Sequence, residues 1–264
     1  MPEGRIEQAG ASEENRLRWP LQRSWLPCIV PAFLWLVPLD SDLEAVPLGP
    51  WLTLAGLFLG LWGVLRGSGR RASRARALGK LFASGGFLLF AWELNLPQVR
   101  PVGLAVWGAL VLSALGDVAL IAPARGRGFA LGLLAFGGAH LAYALGFWGL
   151  APNPRHAGLG LLVLAPIAVT FDRWLVRCEP GVWLPWIRLY SLALAAMAAG
   201  AAGVAAGPGG AWLLAGAAAF LVSDLFISRE RFGRDDRWNL GMGWPLYFGA
   251  QLALAYGTHR ALSG

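Results

Sequence analysis

From residue 48 to residue 258 the chain is a succession of long apolar runs, most of them about twenty residues, separated by short segments that hold most of its charge. A run of about eighteen or more apolar residues is long enough to cross a bilayer as a helix. Lipid also excludes any backbone that leaves its own hydrogen bonds open. The expected fold is therefore all-α: a polytopic integral membrane helix bundle. Composition agrees, with 56% hydrophobic and only 14% charged residues, where a soluble domain carries roughly a quarter charged.

The apolar segments fall at roughly 26–38, 48–65, 78–96, 102–122, 129–149, 157–176, 182–205, 210–228 and 239–258. The first is short, contains Pro31 and follows a segment of mixed charge at 3–23. It reads as a short span, a re-entrant segment or an interfacial helix, and not as a cleaved leader, because no A-x-A site follows. The expectation is eight core transmembrane helices plus this short extra N-terminal hydrophobic helix. The chain then divides into an extension at 1–46, the bundle at 47–258 and a tail at 259–264.

Loop charge sets an orientation. Arg66, Arg70, Arg71, Arg74 and Arg76 share one loop, and the alternate loops carry Arg125 and Arg127, Arg173 and Arg177, then Arg229, Arg231, Arg234 and Arg237. The opposite loops hold Arg100 and Arg155, with acidic Asp40, Asp42 and Glu44 on the same side. By the positive-inside rule the arginine-rich loops are cytoplasmic and the carboxyl terminus is outside, as expected for a bacterial inner (cell) membrane. The net charge of +7 is thereby a topology signal and implies no nucleic-acid partner. Cys28 and Cys178 are far apart and outside any CxxC or Cys/His pattern, so neither a disulfide framework nor a structural zinc site is indicated.

An ionisable group inside a span costs about 2.5 kcal/mol or more, so each one needs a reason. The set is Lys80, Glu93, Asp117, His140, Arg188 and Asp224, with Tyr190, Tyr247 and Gln251 as neutral companions. Apart from Glu93, near the outer end, these gather in the cytoplasmic half. Asp117, in SALGDVALIAP, and Asp224, in WLLAGAAAFLVSDLFIS, lie at similar depth. Two readings fit them: a structural ion pair with Lys80 or Arg188, or an acid/base pair across a cavity, one carboxyl protonated and one ionised. Ser113 and Ser223 stand near the two acids. Lys80, the only lysine in the chain, reads as a snorkelling interface residue, a phosphate-binding charge or a partner for an aspartate. His140 and Tyr143 share a face of FGGAHLAYALGF, and Tyr247 and Gln251 share another at i, i+4. These two read as pocket lining or as interhelical hydrogen bonds.

Lys80, LGDVAL (115–120), ARGRGF, GLLAFGGAHLAY (132–143), Tyr190 with Met197, GAAAFLVSDLFISRERF (216–232) and YFGAQLALA (247–255) occur in that order. The series resembles the YhhN/TMEM86 family over residues of about 50 to 258, as that family's eight helices. Its characterised members are lysoplasmalogenases. The resemblance implies a hydrolase of lipid metabolism that cleaves the vinyl ether of a lysophospholipid substrate in the membrane, releasing a fatty aldehyde and glycerophosphoethanolamine or glycerophosphocholine. It implies paired-aspartate chemistry by Asp117 and Asp224, with His140 relaying protons or orienting water. Lys80 and Arg188 would bind the head-group phosphate, and Tyr190, Tyr247 and Gln251 the glycerol or water, with Ser223 and Tyr143 beside them. No metal or other cofactor is expected. The competing expectation is a transporter or lipid-binding membrane protein with a polar pocket on the cytoplasmic side.

Overall fold

The computed structural model describes residues 47–66, 69–121, 126–233 and 237–264. Among them are eight α-helices: α1 Leu48–Arg66, α2 Gly69–Glu93, α3 Val102–Ala119, α4 Arg127–Gly149, α5 Pro154–Arg177, α6 Leu184–Gly203, α7 Gly210–Phe232 and α8 Arg237–Ser263. Short 3-10 turns at Leu96–Gln98 and Gly181–Trp183 complete the described elements. The segment 26–38, with the whole extension at 1–46, lies outside the described residues.

Several helices run further than the apolar windows suggest. α2 begins at Gly69 and carries the arginine-rich stretch as helix, because arginine and alanine are strong helix formers that need no apolar neighbours. Likewise α7 continues through Arg229 and Arg231 to Phe232, and α8 continues the expected tail as far as Ser263. A twenty-residue window measures the hydrocarbon thickness, not the length of the helix.

Among the described residues, five segments are long and apolar enough to cross a membrane: α3, α4, α5, Gly181–Gly203 including α6, and α7. The outward faces are leucine-rich: Leu145, Leu162 and Leu192 are each about 70% exposed, a surface suited to lipid and not to water. This is the exterior of an integral membrane protein.

Short connections make successive helices antiparallel. The carboxyl ends of α1, α3, α5 and α7, with Arg177, Arg229 and Arg231 among their residues, therefore fall at one end of the bundle. The hairpins α1–α2, α3–α4 and α7–α8 are each closely packed, α8 also touches α2 and α3, and α6 joins α4 to α5. Glycine permits the closest approach: a Cβ on Gly79 of α2 would stand 2.6 Å from Cα of Gly60 on α1.

The main core gathers Phe87, Phe136, Phe220 and Phe248 around Tyr247. A smaller cluster of Phe129, Leu175, Ile187 and Phe232 ties α4, α5, α6 and α7 together at the arginine-bearing end. α5 stands apart from the main core: only Ala157 and Leu175 on it are buried, and Pro166 lies within it. It leans on α6 and leaves a groove between itself and α7.

Candidate active site

Two polar clusters form around the two aspartates. Asp117, near the end of α3, is 2% exposed. Its Oδ1 accepts from Lys80 Nζ at 3.1 Å, and its Oδ2 accepts from Ser84 Oγ and the Tyr247 hydroxyl, each at 2.8 Å. Lys80 and Ser84 are one turn apart on α2, so a single helix face supplies the ammonium and one hydroxyl. The ammonium also lies 5.7 Å from the centroid of Trp244, one turn before Tyr247 on α8. This set of donors offers a carboxylate one cation and two hydroxyl groups.

The second cluster is built differently. Asp224 of α7 accepts from the Tyr190 hydroxyl at 2.7 Å, and that hydroxyl lies 2.9 Å from His140 Nε2. The other imidazole nitrogen, Nδ1, lies 3.3 Å from Met197 Sδ. Tyr190 and Met197 are seven residues apart on α6, hence on one face, and they bracket the ring of His140 from its two nitrogens. The nearest approach of His140 Nε2 to Asp224 Oδ2 is 3.5 Å.

Phenyl rings separate the two clusters. Tyr247 packs edge-on against Phe136 at 5.8 Å and Phe220 at 5.4 Å, and Phe220 in turn lies 4.7 Å from the His140 ring. Phe136 can sit there because Gly116, beside Asp117, has no side chain: a Cβ would stand 2.6 Å from the Phe136 ring.

Asp224 also has access to space. With Tyr190, Ile187 and Ser228 it lines two cavities. One is the apolar groove bordered by Leu164 and Ala168 of α5, Leu194 and Ala195 of α6, and Leu221 of α7. The other runs toward the arginine-bearing end, past Phe129, Phe136 and Phe232 to Arg231. Neither cavity is lined by Asp117. Farther along the groove is a wider opening bounded by Pro166, Thr170, Trp174 and Arg229.

The sequence-predicted residues thus sort into separate groups. Lys80, Asp117 and Tyr247 come together, as do His140, Tyr190 and Asp224. Tyr143 donates to Gln251 in a third, fully buried contact between α4 and α8. Ser113 Oγ, Ser223 Oγ and Gln251 Nε2 are buried with no hydrogen-bond partner among the described residues. Arg188 is drawn elsewhere: it makes a two-pronged pair with Asp172 of α5, at 2.7 and 2.9 Å, on the exposed surface. Glu93, set aside on depth, caps α1 by accepting from the backbone N–H groups of Leu48 and Gly49.

Ser84, Met197, Ser228 and Arg231 are not singled out as site residues by the sequence. Ser84 is detectable as the i+4 neighbour of Lys80, and Ser228 and Arg231 as the i+4 and i+7 neighbours of Asp224. Met197 enters the sequence reading only beside Tyr190 in the family resemblance, since a thioether in an apolar span otherwise reads as core.

The family model described as the YhhN family matches residues 75–258. Among curated proteins, "Lysoplasmalogenase TMEM86B" of Homo sapiens is 33% identical over 154 residues, 58% of this chain and 63% of that protein. The Mus musculus protein of the same name is 32% identical over 176 residues, covering 66% of this chain and 70% of its own length. "Lysoplasmalogenase TMEM86A" of Bos taurus is 29% identical over 173 residues, covering 63% and 70%. The match thus spans just under two thirds of the human relative. No solved structure matches the chain.

Proposed function

The chain belongs to the YhhN family, and from that premise we propose that it hydrolyses the vinyl ether bond of a lysoplasmalogen within the membrane. The products would be a fatty aldehyde and glycerophosphoethanolamine or glycerophosphocholine. The observation that carries this reading is the place of Asp224, at the junction of an apolar groove and a second cavity that leads to a cation. In a lysoplasmalogen the bond to be cleaved lies where the hydrocarbon chain meets the polar glycerophosphate. A chain in the groove and a head group in the second cavity would put that bond beside Asp224 and Tyr190. The names of the human, mouse and bovine relatives support the same reaction.

In this reading the two aspartates do different work. Asp224 enters as the carboxylic acid and protonates the β-carbon of the vinyl ether, leaving an oxocarbenium ion beside the new carboxylate. Water adds to that ion and returns a proton to Asp224, giving a hemiacetal. Collapse of the hemiacetal, with a proton passed from its hydroxyl to the glycerol oxygen, releases aldehyde and alcohol. Asp117, paired with Lys80, fixes Tyr247 in the wall of the site and takes no part in the proton transfers.

The geometry of His140 suits it to the proton traffic. With Asp224 protonated, its O–H donates to Tyr190, Tyr190 donates to Nε2, and Nδ1–H points at the Met197 sulfur. After one proton has moved along the chain, Nε2–H donates to Tyr190 and Tyr190 donates to the Asp224 carboxylate. Nδ1–H keeps the same partner. Every donor has an acceptor in both states, so the relay runs without leaving a buried group unpaired.

The test is to incubate the purified protein with a lysoplasmalogen and with the matching ester lysophospholipid, assaying aldehyde and free fatty acid. Aldehyde from the vinyl ether, with no fatty acid from the ester, is the expected result. Absence of aldehyde across several detergents and lipid mixtures would reject the proposal.

A further inference from the structure

The basic residues first expected to bind the head group are engaged elsewhere. Lys80 is paired with Asp117, and Arg188 with Asp172. At the same end of the bundle Arg76 is paired with Glu230. Arg231 lines the cavity that also contains Asp224, Tyr190 and Ser228. Its guanidinium reaches the Leu120 carbonyl at 3.4 Å and lies 6.0 Å from the centroid of Phe129. These contacts place the guanidinium at the cavity wall.

Asp224, Ser228 and Arg231 fall at i, i+4 and i+7 of α7 and share a face. Seven residues of helix separate the ends of this row by about 10.5 Å along the axis. In a lysoplasmalogen, seven bonds lie between the β-carbon of the vinyl ether and phosphorus. At the ~3.5 Å that three bonds of an extended chain cover, that is about 8 Å. Side chains on a helix lean toward its amino end, so an arginine at i+7 reaches back along the cavity and closes the difference. The row matches the lipid in order as well as in length: acid at the reactive carbon, hydroxyl near the glycerol, guanidinium at the phosphate.

We propose that Arg231, assisted by the Ser228 hydroxyl, is the subsite for the phosphodiester of the lysophospholipid head group. The assignment rests on the reading of Asp224 as the reacting acid and names the residues that set the substrate's register against it. A guanidinium suits this role because its donors pair two phosphate oxygens at once.

The experiment compares wild type, Arg231→Gln and Arg231→Lys on two substrates with the same vinyl ether, a lysoplasmalogen and the corresponding 1-alkenylglycerol without phosphate. Arg231→Gln should raise KM for the lysoplasmalogen roughly ten- to hundredfold with little change in kcat, and Arg231→Lys should fall between it and wild type. Both variants should handle the alkenylglycerol as wild type does. Equal losses on the two substrates, or no change on either, would overturn the subsite.

Should wild type release aldehyde from neither substrate, the hydrolase reading fails, and thermal stabilisation by a non-hydrolysable 1-alkyl lysophospholipid tests the subsite separately. Stabilisation of wild type that is lost in Arg231→Gln supports it, and absence of stabilisation in wild type overturns it. Equal stabilisation by inorganic phosphate at the same concentration would assign the site to free phosphate and overturn the head-group assignment.

Discussion

Met197 Sδ stands 3.3 Å from His140 Nδ1, a contact that is a hydrogen bond when the proton sits on that nitrogen. A thioether accepts but does not donate, so in the proposed relay Nδ1 keeps its proton and Nε2 exchanges one with Tyr190. Met197 is thereby a positioning residue for the relay. Met197→Leu keeps the volume and removes the acceptor. Loss of one modest hydrogen bond, about 1 kcal/mol, should lower kcat about fivefold and alter the pH dependence of kcat. Met197→Gln restores an acceptor at similar reach and should recover most of the rate. Loss without recovery would reduce Met197 to a packing residue.

Lys80 and Asp117 form an enclosed charge pair, their side chains 15% and 3% exposed. Lys80→Met strands a carboxylate 2% exposed and should cost about 3–5 kcal/mol, seen as a fall in thermal stability of the purified protein. Adding Asp117→Asn to Lys80→Met removes the stranded charge and should regain much of that loss. The double variant should also keep measurable turnover. A stable but inactive double variant would return Asp117 to the chemistry.

The groove between α5 and α7 predicts a chain-length effect. Ala168 and Ala195 border it, so Ala195→Phe fills space meant for methylenes. Excluding two methylenes at about 0.8 kcal/mol each should raise KM for long-chain substrates about tenfold. Substrates with chains too short to reach the ring should be spared. An equal effect at all chain lengths would place the hydrocarbon elsewhere.

Glu93 has a purely structural assignment. Its carboxylate accepts from Leu48 N at 2.9 Å and Gly49 N at 3.1 Å, closing the first turn of α1. Glu93→Gln weakens that cap and should cost about 1 kcal/mol of stability, with kcat of the folded protein unchanged. A lowered kcat at full stability would count against it.

The helices and the polar residues worth watching are legible in the sequence because lipid makes both conspicuous. A twenty-residue apolar run in a chain this poor in charge is long enough to span, and a carboxylate inside one must find a partner. Pairing is harder to read. Lys80 suits both a phosphate and an aspartate, and only the packing of α2 on α3 gives it to Asp117. The two aspartates look like one pair because depth along a helix can be counted, whereas rotation about its axis depends on neighbours. Phe136 and Phe220, which part the clusters, have no polar signature at all. Arg188 has the right depth for a head group but faces α5, where Asp172 holds it in a stretch conspicuous only for its arginines.

The mechanism depends on Asp224 as the proton donor, and one rate measures it: aldehyde release from a lysoplasmalogen by purified Asp224→Asn, confirmed as folded by its thermal transition. An amide keeps the shape and still accepts from Tyr190, but it cannot give a proton to carbon. The predicted rate is at least about a hundredfold, and up to ~10⁴-fold, below wild type. Turnover within about threefold of wild type would contradict that role, because general acid catalysis of that size cannot be lost so cheaply.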